Sequence, residues 1–181
     1  MQIVIATPLY PPDIDETAVY AKELARRLAV EHTVTVVAYT HIGEQISGAT
    51  TMTIEKDRPV FARIFSFWKA IRRAAHNAHV LYVINGASVE LPVIVTSFTS
   101  RTPIIFTMHD TAAHYRAEKS WVLNTIEKIA IRLARAVIQS KALPKPEILP
   151  FKEISQNAWS LYEESWSTHI KDILTTAARI Q

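Results

Sequence analysis

The 181-residue chain contains no cysteine. Disulfides, thiolate metal sites and a cysteine nucleophile are therefore excluded, and the composition fits a reducing compartment. Glycine is scarce, at three residues. A phosphate-cradling glycine loop needs more, no G-x-G-x-x-G follows the first strand, and no G-x-S-x-G elbow occurs. Classical dinucleotide binding and serine hydrolysis are set aside on that ground. Charge of one sign does not dominate: the formal net charge is +3. That balance suits an anionic surface or a phosphorylated ligand, and with no nucleic-acid motif present no nucleic-acid partner is expected. An uninterrupted membrane-length apolar run is also missing. His79–Phe98 comes nearest, but Asn85, Gly86, Glu90 and Pro92 break it into strand, turn and helix. Met1 leads straight into a strand, so no targeting segment and a cytoplasmic location are expected.

What is present is an alternation. The hydrophobic fraction of 49% is enough for a packed core. Gln2–Thr7 reads as a buried strand that ends at Pro8, Pro11 and Pro12. Ala21, Leu24, Ala25 and Leu28 then recur at helical spacing. Valine-rich Thr33–Tyr39 is a second strand and Thr51–Glu55 an edge-like third. Pro59 opens a helix that runs to about His76. Val80–Ile84, Pro103–Met108 and Ala136–Gln139 read as further strands, with helices from about Ser88 and over Glu118–Ala134. Alternating strands and helices predict a parallel sheet with helices on both faces, an α/β Rossmann-like domain. Ligands bind such sheets beyond the C-terminal strand ends, which selects the Pro8–Glu16 loop, the Asn85–Gly86 turn and the His109–Tyr115 loop. Pro144, Pro146 and Pro150 end the pattern. Lys152–Arg179 reads as one or two helices carrying Trp159, Tyr162 and Trp166, with no further strand. The expected organisation is a domain over 1–151 and a helical tail over 152–181 packing back on it.

The segments IVIATPLYPPDIDETAVYAKELARRL, TPIIFTMHDTAAHY and ARAVIQSKALPKPEILPF together resemble the N-terminal domain of glycosyltransferase family 4, a two-lobed GT-B family. The resemblance spans about residues 1–151. It implies sugar transfer between a donor held by a second lobe and an acceptor held by this one. No metal or other cofactor is implied. The second lobe should begin after EILPF, and the paired-glutamate motif it carries is not found. The tail NAWSLYEESWSTHIKDIL resembles the family's return helix. The chain is therefore expected to be unable to transfer sugar alone. Its possible states are the acceptor-side half of a split enzyme, a pseudoenzyme that binds a sugar, lipid-linked acceptor or protein, and a folding unit with no present ligand. The partner is a separate donor-domain chain or a second copy, since an uncovered cleft edge favours homo-oligomers.

The family's glycine pair falls at Asp15 and Glu16, with Asp13 nearby. Two like charges about 4 Å apart repel by roughly 1 kcal/mol in water and about 4 at the effective dielectric near a protein surface. These acids oppose phosphate binding, and they suit a helix N-terminus as caps and dipole partners. The ligand-binding loop expected here comprises Tyr10, Pro11, Pro12, Asp13, Asp15, Glu16, Thr17, Asn85, Gly86 and His114. His109 is the catalytic candidate, because the resemblance puts a histidine there facing the donor, with Asp110 orienting it; the alternative is a histidine that only bonds its loop. His109, Asp110 and His114 match no closed metal-site spacing, so no metal is expected. The helix Arg58–His76 is basic, with Arg63, Lys69, Arg72 and Arg73, and carries Phe61, Ile64, Phe65, Phe67, Trp68 and Ile71. It can lie on the inner face of an anionic membrane, with exposure of Phe67 and Trp68 as the mark of that arrangement. It can equally pack Phe61, Ile64, Phe65, Trp68 and Ile71 on the sheet.

Overall fold

The computed structural model describes residues 1–140, 153–157 and 163–181. Seven parallel strands form one sheet: β1 (Gln2–Thr7), β2 (Thr33–Tyr39), β3 (Ala49–Ile54), β4 (Val80–Ile84), β5 (Ile104–Met108), β6 (Ala136–Ser140) and β7 (Glu153–Asn157). Their order is β3-β2-β1-β4-β5-β6-β7. The central strands β1, β4 and β5 are almost continuous apolar runs because helices cover both faces. One layer holds α1 (Glu16–Leu28) and α6 (Glu163–Ile180), which bury Tyr20, Leu24, Trp166 and Ile173 against the sheet. The other holds α2 (Val60–Ala75), α3 (Ala87–Ser97) and α5 (Trp121–Leu133), with Phe67, Ile71, Val89, Val93 and Ile131 inward. The α/β Rossmann-like reading is thus the observed architecture.

Local chemistry explains the helix ends. The Asp15 carboxylate accepts the Thr17 N–H at 2.8 Å and starts α1. In α3, Pro92 has no N–H to give to the Ser88 carbonyl one turn back. The buried Tyr39 hydroxyl donates to that carbonyl instead, at 2.9 Å. An otherwise orphaned acceptor is satisfied from β2, and the helix continues through its proline.

Three expectations are corrected. The His109–Tyr115 segment is no loop: Thr111–Glu118 forms α4, because Asp110 caps it by accepting the Ala113 N–H. Strands do resume after the prolines, since Glu153–Asn157 pairs with β6 from Ala136↔Glu153 to Ser140↔Asn157. Ile154 is the single apolar residue of that strand, so no apolar pattern announced it; the backbone of β6 supplied the partner. Phe67 is fully buried, whereas Phe61 is 87% exposed and Phe65 half-exposed. The inward stripe of α2 is Phe67, Ile71 and Ala75, rotated from the one the periodicity selects. Phe67 stacks on Tyr39 with ring centroids 4.2 Å apart, an anchor that fixes the rotation. Trp159 and Tyr162 lie outside the described residues.

Candidate functional site

The strand order reverses between β1 and β4, so the loops after these strands diverge and leave a crevice at the C-terminal edge. A cavity of about 350 Å³ occupies it, lined by Pro8 and Leu9 after β1, Gly86, Ala87, Ser88 and Glu90 at the start of α3, and Asp110, Ala113, Arg116, Ala117 and Leu123. That volume lies at the small end of ligand pockets.

Gly86 makes the crevice possible. Its φ is +149°, and a Cβ there would lie 3.1 Å from Pro8 Cγ. The positive φ favours glycine, and a side chain there would also press on the Pro8 ring. Its N–H donates at 2.8 Å to Glu90 Oε1, so a carboxyl closes back on the cap of α3. Glu90 is 2% exposed, and burial pushes its carboxyl up to about 8, opposed by the Gly86 bond and reinforced by Glu127. At neutral pH the group is mostly protonated. It can therefore donate as well as accept a hydrogen bond at the pocket wall.

The predicted residues divide. Asn85 is fully buried and clamps Asp110: its amide donates to the Asp110 carbonyl at 2.7 Å, and its Oδ1 accepts the Asp110 N–H at 2.8 Å. It holds the ends of β4 and β5 together. Asp110 borders the cavity, with one oxygen committed to capping α4 and Arg116 3.9 Å from the other. His114 turns toward α5, where Nδ1 meets Glu127 Oε1 at 2.8 Å and Nε2 lies 3.6 Å from Glu118. Burial raises the Glu127 carboxyl and the His114 contact opposes that rise.

Beyond Leu9 the first loop turns away from the cavity as well. Tyr10 is fully buried, and burial lifts its hydroxyl to about 12. Pro11 is buried, and its bond to exposed Pro12 is cis. Asp13 pairs with Lys56 at 2.5 Å. Asp15 caps α1, Glu16 sits in its first turn, and Thr17 is buried. Asp15 and Glu16 thus serve the helix end, as their type implies, while Asp13 holds Lys56.

His109 follows β5 on the opposite face from its neighbour Asp110, as successive residues of an extended chain do. Its ring stacks on Tyr20, with centroids 4.1 Å apart and planes 17° from parallel. Burial lowers its pKa to about 4, His169 pushes the same way, and Asp15 opposes. The Tyr20 hydroxyl bonds Tyr82 at 2.7 Å and His169 Nε2 at 2.6 Å, and its ring also stacks on Trp166 at 5.5 Å. This buried column ties α1, β4 and the end of β5 to α6. Sequence reading missed Glu90, Arg116 and His169. A single acid inside the apolar stretch VELPVIV was the available signal for Glu90; His169 and Arg116 carried none.

The basic α2 surface is partly as expected. Lys69, Arg72 and Arg73 are exposed, Arg63 lies over the Tyr39 ring at 5.6 Å, and Trp68 is half-buried beneath Arg72 at 5.6 Å. With Phe67 in the core, the anticipated exposure of Phe67 and Trp68 together is not found.

No family profile matches the chain, and no curated protein matches it either. Solved structures do. The chain is similar to Anabaena HepE crystallised with UDP and glucose, at TM-score 0.57 and 14% identity, over 97% of this chain and 51% of that one. HepE with UDP alone gives TM-score 0.54 and 13% identity, over 97% and 50%. An α-glucosyltransferase bound to UDP and a mismatched 13-mer DNA matches at 10% identity over 77% of this chain and 37% of that one, and its TM-score of 0.48 carries no weight. The chain therefore spans about half the length, or less, of these solved structures. At such identities the likeness is one of architecture: the chain has a glycosyltransferase-like fold, built as a single Rossmann-like sheet with helices on both faces.

Proposed function

We propose that this chain forms the acceptor-side wall of a sugar-transfer cleft, of the glycosyltransferase family 4 kind, whose donor-side wall is a second lobe. The observation that carries this reading is the cavity at the β1/β4 switch point and the chemistry of its wall. A protonated Glu90, Ser88, Asp110 and Arg116 stand among apolar Pro8, Leu9, Ala87 and Leu123. Mixed donors and acceptors on an apolar floor suit a hydroxyl-rich molecule. A nucleotide diphosphate is poorly served. The α1 N-terminus is guarded by Asp15 and Glu16, and Glu90 accepts the N–H of Gly86, the residue that caps α3. Transfer also needs charge development in a closed, preorganised site, which one sheet edge does not provide.

The test is titration of the purified chain with UDP, glucose and a panel of oligosaccharides, together with a transfer assay using UDP-glucose. Saturable binding of a saccharide, abolished by Ala113→Phe filling the cavity, with neither UDP binding nor turnover, is expected. Turnover by the chain alone, or UDP binding without saccharide binding, would overturn the proposal. A second reading, saccharide binding with no transfer in any assembly, is favoured by one observation: His109 is stacked on Tyr20, and its neighbour Asp110 caps α4. A donor lobe that restores transfer when added in trans would exclude it.

A further inference from the structure

Glu90 is the single acid of α3 and stands in its first turn, within the apolar run VELPVIV. It is 2% exposed and forms part of the wall of the 350 Å³ cavity. Burying a carboxyl among apolar side chains is costly, and an apolar residue would pack there without that cost. Its two oxygens are not alike. Oε1 accepts the Gly86 N–H at 2.8 Å, whereas Oε2 has no hydrogen-bond partner among the described residues. Closing on the cap of α3 therefore employs one oxygen and leaves the other free for something else.

Because Oε1 accepts an N–H, the proton that the group keeps at neutral pH resides on Oε2. The neighbours hold it there. On α5 the buried Glu127 opposes ionisation, while Lys128 is exposed. On α4, His114 is engaged with Glu127 and Glu118. Asp110, at the end of β5, borders the cavity as a further acid. Arg116 is the cation of the cavity wall, but it lies 3.9 Å from Asp110 and its Nε donates to the Ala112 carbonyl. On α2, Arg63 lies over Tyr39, and Lys69, Arg72 and Arg73 are exposed. Beyond β4 stands uncharged Asn85. Among the described residues no cation pairs with Glu90. A molecule that fills the cavity also displaces the solvent reaching Oε2, and lost solvation disfavours the charged form further. Resting on the reading of this cavity as a saccharide site, we propose that Glu90 is its specificity-determining residue: Oε2 donates a hydrogen bond to a hydroxyl or ring oxygen of an uncharged saccharide, which is held firmly only while the carboxyl keeps its proton.

The experiment is isothermal titration calorimetry of the full chain with glucose and the oligosaccharide panel between about pH 6.5 and 9. Wild-type affinity should be level to about pH 7 and about tenfold weaker at pH 9, as the carboxyl titrates near 8. At pH 9 binding should take up roughly one proton, read by comparing two buffers of different ionisation heat. Glu90→Gln replaces the O–H donor by an N–H donor that does not titrate. It should bind at pH 9 as at pH 6.5, with no proton uptake. Glu90→Leu should weaken binding about tenfold at pH 6.5. Circular dichroism at each pH confirms that the chains compared are folded, and the wild-type profile tests the proposal without any substitution. Affinity that is constant or rises with pH, or that survives Glu90→Leu, overturns this proposal and leaves the saccharide site standing. Absence of saccharide binding at every pH overturns both.

Discussion

Gly86 and Glu90 concentrate the constraints of the cavity in two side chains and one hydrogen bond. Gly86→Ala forces a Cβ toward the Pro8 ring at a φ that L-residues avoid. A loss of about 1–3 kcal/mol is expected, read as a lowered urea midpoint with unchanged slope. Glu90→Gln keeps the shape and removes the titration. Its carboxyl is raised in the folded chain, so the stability it contributes is complete below the ordinary carboxylate range and is lost as pH rises through about 8. The wild-type chain should lose stability on the order of 4 kcal/mol from this group across that interval. Urea melts between about pH 6.5 and 8.5, where the buried histidines no longer contribute, check it, and the Gln variant should flatten the decline over that window. An undiminished slope in the variant would assign the decline elsewhere.

At the scale of elements, α6 depends on the column of Tyr20, Trp166 and His169. Trp166 is 1% exposed, and Trp166→Ala should cost about 3–5 kcal/mol. His169 lies in the same core, with burial lowering its pKa to about 4 against a small opposing effect of Asp172. A depressed histidine has the opposite sign to Glu90: stability is full above the ordinary histidine value and is lost as pH falls through about 4. Acid should therefore release α6 first. Trp166 fluorescence is expected to change on acidification before the far-ultraviolet circular dichroism of the sheet does. Simultaneous loss would show that α6 is not a separable unit. Asn85→Ala acts on another element pair by removing both bonds that hold Asp110 between β4 and β5. It should cost about 2 kcal/mol, measured by thermal melting.

The whole molecule sums these opposing titrations. Between the ordinary carboxylate and histidine values, the unfolded chain binds protons at His109 and His169 that the folded chain refuses, while the folded chain keeps one at Glu90. Two against one makes stability rise with pH; above about pH 6.5 only the carboxyl remains and stability falls. Raised Glu127 adds to the falling side. A stability maximum near about pH 6 is expected from melts across pH 4–9.

At this scale the limits of sequence reading also become physical. The valines of β2 and the uninterrupted VLYVI of β4 announced themselves, because a strand buried on both faces must be apolar throughout. The Asp15 cap was legible from residue type and position. Strand β7 was not, because its pairing energy comes from a neighbour's backbone and leaves no side-chain signature. Nor was the rotation of α2, whose aromatic positions allow more than one stripe; stacking of Phe67 on Tyr39 chose. Of the site, Gly86 and Asp110 were located at the cavity, while His109 and His114 were placed at the right strand end and turned elsewhere.

By itself the sequence determined the alternation, the parallel sheet, the absence of a glycine phosphate cradle and the acids at the start of α1, since each follows from local pattern and residue type. Only the tertiary structure decided which face His109 joins, that Glu90 holds its proton, and how α2 is rotated on the sheet. Those depend on burial and on distances between residues far apart in the chain, which periodicity does not encode.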